Sequence, residues 1–270
     1  MPELPEVETT KRGIAPHILS KSVTDVCIRQ PKLRWPIPDD LAERLNQARL
    51  LNIHRRAKYL LLQFDPGWLL IHLGMSGSLR IVDPNQLPEK HDHVDIHFAN
   101  TVLRFRDPRR FGAVLWLGDT PEDSPLLSKL GPEPLAEAFN GDYLYARSRG
   151  KTATVKQFIM DQAVVTGIGN IYATEALFLS GIKPTRAAGQ ISRERYQKLS
   201  QNAKSILEKA IDQGGTTLKD FVGSDGKPGY FKQELLAYGR KGLPCVTCET
   251  ELTEVRLGNR STVYCKRCQR

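Results

Sequence analysis

Two cysteine pairs, Cys245-Val-Thr-Cys248 and Cys265-Lys-Arg-Cys268, stand sixteen residues apart near the end of the chain and constrain its fold more than any other feature. That spacing lies inside the C-x2-C-x15–20-C-x2-C window of a structural zinc site. Each pair sets two thiolates on one tight turn. The stretch between them is long enough for a β-hairpin over 251–264 that would bring the turns together into a tetrahedral four-thiolate shell. Four protein thiolates leave no open coordination position, so one Zn2+ ion is expected to hold structure and not to do chemistry. Arg240, Lys241, Arg256, Arg260, Lys266, Arg267 and Arg270 surround the cysteines. A basic finger of this kind suits contact with a phosphate backbone. The fifth cysteine, Cys27, stands alone in a strand-like stretch, 23–28, and reads as a buried core thiol.

The rest of the composition agrees with a polyanionic partner. Thirty-nine Lys and Arg against thirty Asp and Glu leave a formal charge of +9, and the 40% hydrophobic content excludes a disordered chain. The opening MPELPEVETTKRG carries acids where a secretory signal has a basic region and an apolar run. The longest apolar stretches, 59–64 and 68–75, fall short of the ~20 residues that span a bilayer. A cytoplasmic, nucleoid-associated protein with reduced thiols and no membrane partner is expected.

Hydrophobic spacing divides the chain. From Ser22 to about Leu117 apolar residues alternate, as in Val94, Ile96 and Phe98 of HVDIHFA, and turn signals recur every ten residues or so. No helical crossover intervenes, so two packed antiparallel sheets are expected. After Asp119 the texture turns helical, beginning with SPLLSKLG and PLAEAFNG. The clearest helix spans 192–213, capped by Ser192, with Tyr196, Leu199, Ala203, Ile206, Ala210 and Ile211 on one face. The expected fold is α+β: an N-terminal two-sheet β-sandwich with an N-terminal helix over 1–118, a hinge over 119–133, a helical domain over 134–235 and a zinc finger over 236–270.

Ten ordered motifs then run from the first residue to the last: MPELPEVE, HRRAKYLL at 54–61, HLGMSGSLR at 72–80, KHDHVD at 90–95, DPRRFG at 107–112, GIGNIYA at 167–173, QGGTTLKDF at 213–221, SDGKPGYF at 224–231, YGRKG at 238–242 and the four-cysteine finger. Together they resemble bacterial formamidopyrimidine-DNA glycosylase, also called 8-oxoguanine DNA glycosylase. The resemblance implies a bifunctional glycosylase and abasic-site lyase of base-excision repair, acting as a monomer on double-stranded DNA that carries an oxidised purine opposite cytosine. It also implies that the helical domain is a helix-two-turns-helix element.

Residue by residue, Pro2 matches the nucleophile once Met1 is removed, Glu3 the catalytic acid, and Glu6 its structural support. Lys58 matches the catalytic lysine, and Arg260 an arginine on the phosphates beside the lesion; physically Arg260 is a clamp, since guanidinium is a poor acid. Met75, Arg109 and Phe111 match a trio that fills the void left by an everted base. His91 and Asn170 match DNA contacts, with Lys151 and Lys156 as candidates for the nearby phosphate lysine, whereas His93 reads as structural. Residues 216–230 resemble a loop that closes over the everted base. The sister endonuclease VIII branch, which prefers oxidised pyrimidines, and a zinc-finger DNA-binding protein without catalysis remain the alternatives. Leu4 and the intact 216–230 stretch resemble the purine branch.

Overall fold

The structure is a computed structural model and describes residues 2–214 and 235–270. Over these residues the chain separates into two compact units, one of residues 2–128 with 213–214, the other of 129–212 with 235–270.

The first unit opens with helix α1, Leu4–Ile18. Pro5 suits the first turn, where a missing N–H costs nothing, and the buried stripe Leu4, Val7, Ile14 and Ile18 faces the core. Strand β1 (Val23–Ile28) and a short helix α2 (Leu41–Leu45) follow, then β2 (Leu50–Arg56), β3 (Tyr59–Phe64), β4 (Gly67–His72), β5 (Ser78–Val82), β6 (Asp92–Phe98), β7 (Thr101–Arg106) and β8 (Ala113–Gly118). The strands form two antiparallel sheets, ordered β1-β6-β7-β5 and β2-β3-β4-β8. Val26, Ile96 and Leu103 of the first sheet and Ile53, Leu62, Leu69 and Val114 of the second share one core with Val7 and Ile14 of α1. The alternation of HVDIHFA is therefore a core-facing strand, as expected.

His93 and Asp95, at intervening positions of β6, are buried too, which alternation did not foretell. Asp95 accepts from Arg104 Nε and Nη2 at 2.9 and 2.8 Å and from Arg29 Nη2 at 2.6 Å. Burial alone would raise its pKa, but the two guanidiniums outweigh that and hold the carboxyl below its usual range. Arg104 also donates to the carbonyls of Gln86 and Leu87, tying down the chain that leads into His91.

The expected helices at SPLLSKLG and PLAEAFNG do not form; the chain runs there through turns and irregular backbone. Gly131 lies so close to Val164 that a Cβ would approach its carbonyl carbon to 2.8 Å, and Pro132 and Pro134 disfavour helical backbone at the residues before them. The helices that do form are α3 (Gly141–Ser148), α4 (Val155–Met160), α5 (Asn170–Leu179) and α6 (Arg193–Asp212). Helix α6 matches the expected span within a residue at each end, and its six anticipated apolar residues are all buried. The second unit ends in the hairpin β9 (Thr253–Leu257) and β10 (Arg260–Tyr264). Phe178, Ala237, Leu252 and Val263 cluster with Cys245 and Cys265, so the finger shares a small core with α5. Cys27 departs from expectation: on β1 it is half-buried, not a core residue. Among the described residues no helix is long and apolar enough to cross a membrane.

Candidate functional site

Chain termini are usually loose, but the start of this chain is buried. Pro2 is buried and Glu3, the N-cap of α1, is 2% exposed. Glu6 Oε2 accepts the Glu3 backbone N–H at 2.8 Å, the reach-back half of a capping box. Glu8 holds the next link. It pairs with Lys11 at 2.9 Å and with Arg55 of β2 at 3.0 Å. Desolvation works against its charge, but Lys11 and Arg55 overcome it and lower its pKa. Arg55 in turn donates to the Ala57 carbonyl at 2.9 Å.

Ala57 and Lys58 form the turn between β2 and β3, with Ala57 in the left-handed region at φ 56°. Hairpin turns are normally solvated, yet Lys58 is only 8% exposed. The Glu8–Arg55–Ala57 chain thus sets the lysine's turn relative to α1. In the sequence Glu8 reads only as an acid near the start of a helix, and the ion pair with Arg55 comes from residues far apart along the chain.

His72 closes β4 opposite Tyr59, and its Nδ1 accepts the Gly74 N–H at 3.2 Å. Burial pushes its pKa down to about 4, helped by the cations Lys58 and Arg34. The ring is therefore neutral and carries its proton on Nε2.

Beyond His72 comes the turn holding half-buried Met75. It packs on the loop of exposed Arg109 and Phe111, whose guanidinium and ring lie 5.1 Å apart. The two backbones touch: a Cβ on Gly74, at φ 64°, would come within 2.5 Å of Gly112 N. His91, half-buried at φ 76°, lies edge-on to His93 at 6.2 Å between ring centres. His93 is 8% exposed and its Nε2–H donates to the Asp107 carbonyl at 2.8 Å. The sequence trio and His91 therefore lie on neighbouring segments of one unit, and Asp107 is the hub that the sequence reading missed.

In the second unit Lys156 is 1% exposed. Its ammonium donates to Asn170 Oδ1 at 2.6 Å, Thr262 Oγ1 at 2.7 Å and the Ser261 carbonyl at 3.1 Å. Because ammonium has only donors, the contact orients the Asn170 amide, and Asn170 Nδ2 donates to Ser261 at 3.1 Å. Lys151, the other candidate, is exposed. Arg260 is exposed at the start of β10, just past a Gly258-Asn259 turn with φ of 52° and 60°. Both central residues are left-handed, as the twist of a two-residue hairpin demands. Residues 216–230 lie outside the described residues.

The four cysteine sulfurs lie within 4.8 Å of one another, with Cys248 and Cys265 3.5 Å apart and Cys245 and Cys268 3.9 Å apart. A zinc ion at ~2.3 Å from each of four thiolates needs an edge of roughly 3.8 Å. The donor set fits one structural zinc ion.

Three family profiles match the chain in succession: the formamidopyrimidine-DNA glycosylase N-terminal domain over residues 1–114, the formamidopyrimidine-DNA glycosylase H2TH domain over 130–222 and the zinc finger found in FPG and IleRS over 242–270. The chain belongs to the formamidopyrimidine-DNA glycosylase family. Full-length relatives of that name from Psychromonas ingrahamii and Cellvibrio japonicus are 63% and 58% identical, each over 100% of both chains. The solved MutM (FPG) protein of Thermus thermophilus is 34% identical with a TM-score of 0.89, covering 99% of this chain and 98% of its own. Lactococcus lactis Fpg in complex with DNA containing an abasic site is 32% identical with a TM-score of 0.91, covering 99% of each chain.

Proposed function

We propose that the chain excises oxidised purines, 8-oxoguanine and formamidopyrimidines, from double-stranded DNA in base-excision repair, and then cleaves the strand at the abasic site it has made. The observation that carries this reading is the buried N-terminal Pro2-Glu3 pair in a member of this family. Loss of Met1 converts the Pro2 nitrogen from an amide into a secondary amine. Its lone pair attacks C1′ of the damaged nucleotide as the C1′–base bond breaks with its electrons leaving on the base; the base takes up the proton that the Pro2 nitrogen loses, and Glu3 protonates the sugar ring oxygen as the ring opens.

The product is an iminium ion which, having no N–H to lose, stays cationic. It draws electrons from the C2′–H bond, so the C2′ proton leaves to base and the bond to the 3′ phosphate breaks. A second elimination releases the sugar remnant from the 5′ phosphate. Lys58 serves the proton transfers of the first elimination, and Arg260 clamps a phosphate beside the lesion.

The target must leave the stack before C1′ is reachable. Met75 and Phe111 wedge the step, and Arg109 offers donors to the orphaned partner. Cytosine suits it, because its pairing edge presents two adjacent acceptors. His91, Lys151 and Asn170 contact the phosphates, and buried Lys156 acts by orienting Asn170. One chain carries all these groups, so a monomer suffices.

Borohydride reduction of the iminium on a duplex carrying 8-oxoguanine opposite cytosine is expected to give a covalent protein–DNA adduct. Pro2→Gly should largely abolish it. No adduct from protein lacking Met1 would refute the lyase reading, and stronger trapping on oxidised pyrimidines would move the chain to the sister specificity.

A further inference from the structure

Asp107 is fully buried, and every polar atom it has is engaged within its own unit. Its Oδ1 accepts from Ser76 Oγ at 2.7 Å and from Arg109 N at 3.3 Å, and its Oδ2 accepts from Gly112 N at 2.8 Å. Ser76 Oγ also accepts from Arg109 N at 3.1 Å. The Asp107 N–H donates to the His91 carbonyl at 3.1 Å, and its own carbonyl accepts from His93 Nε2 and from Arg110 N at 2.8 and 3.2 Å. One residue therefore joins the Met75 turn, both ends of the Arg109–Phe111 loop and the His91 segment.

We propose that Asp107 is a positioning residue for base eversion, holding the Met75 turn and the Arg109–Phe111 loop as a single rigid wedge. This rests on the reading of Met75, Arg109 and Phe111 as void-filling residues. The physical case is one of order. Two turns presenting three side chains would each lose conformational freedom on entering a duplex, and a wedge that is already ordered loses less. A carboxylate is suited to the task because three donors converge on its two oxygens, more than an amide oxygen alone can serve. The close approach at Gly74 brings the two backbones into register, and the carboxylate locks them there.

The role predicts a split between eversion and chemistry. In the zinc-loaded full chain, Asp107→Asn leaves the volume unchanged but turns an NH2 toward either Gly112 N–H or Arg109 N–H. Stopped-flow fluorescence of 2-aminopurine placed beside 8-oxoguanine, opposite cytosine, reports unstacking. That phase is expected to slow by between about fivefold and a hundredfold in Asp107→Asn, with single-turnover excision slowing in parallel. Ser76→Ala, which removes one link and leaves the acid its other donors, should slow it less. Borohydride trapping on a single-stranded oligonucleotide with a preformed abasic site needs no eversion and should stay within about threefold of wild type.

Met75→Ala and Phe111→Ala are the controls. If they slow unstacking and Asp107→Asn does not, the positioning role is overturned and the wedge stands. If neither slows it, the wedge reading fails and takes this proposal with it. Equal losses on single-stranded abasic DNA would reduce Asp107 to a residue needed only for folding, which also overturns the proposal.

Discussion

A half-buried base beside cations gives up its proton readily, and His72 does so in a way that ties stability to pH. Its pKa is pushed down to about 4 in the folded chain, whereas an unfolded histidine titrates near ~6.5. As pH falls below ~6.5 the unfolded state takes up a proton that the folded state refuses, so stability is complete above that pH and declines toward 4, by about 3 kcal/mol at most. In His72→Gln the amide oxygen can still accept the Gly74 N–H but nothing titrates, so urea midpoints measured from pH 7 to 4.5 should decline less than in wild type. Equal declines would show that the ring is already charged. Little of this was readable beforehand: His72 stood in HLGMSGSLR as one of six histidines, and its neighbour Lys58 comes from the other side of a strand pairing. Glu175 makes the same point. It is the single charge in the apolar helix NIYATEALFL, which could have flagged it, but its three donors, the N–H groups of Leu236, Ala237 and Tyr238 at 2.7 to 2.9 Å, lie about sixty residues on. Burial raises its pKa despite them. No local pattern reveals a partner at that separation.

Elements whose cause is local were legible. Helix α6 declares itself by period and cap, and the hairpin β9–β10 by cysteine spacing. The turns at 124–140 differ from the expected helices: the apolar residues there sit at helical spacing, but the close approach of Gly131 to Val164 comes from a distant part of the chain. The finger is the element whose stability depends most on one component. Its core with Phe178 is small and includes two of the cysteines, so the metal supplies much of what holds it. Cys265→Ser is therefore expected to drop bound zinc from about one equivalent to near zero, and to weaken duplex binding roughly tenfold or more as the Arg260 hairpin loses its shape. Trp35, Trp68 and Trp116 all lie in the other unit, so tryptophan emission should not change. A variant that keeps its zinc, or loses it and binds DNA normally, would contradict this account of the module.

At the scale of the whole molecule the surplus of basic residues is what a nucleic acid meets first. The zinc–thiolate centre has a net charge of −2 and reduces the formal +9 to about +7. Basic side chains are exposed in both units: Arg109 in one, Lys151 and Arg260 in the other. Lys156 is buried, and its ammonium is engaged with Asn170 and the β10 hairpin. These placements separate two kinds of variant. Removing an exposed cation that only neutralises phosphate weakens lesion-bearing and undamaged duplex alike and lessens the steepness with which affinity falls with salt, by roughly one unit of the log–log slope per contact. Arg260→Ala should behave so when binding is followed by fluorescence anisotropy between 50 and 200 mM salt. Arg109→Ala should differ, because a side chain that replaces a base contributes only when a base has left the stack; its loss falls on the lesion duplex and leaves undamaged affinity nearly intact. If Arg260→Ala left the slope unchanged, the finger would not be touching the backbone, and if Arg109→Ala lowered both affinities equally, its role would be that of one more phosphate cation.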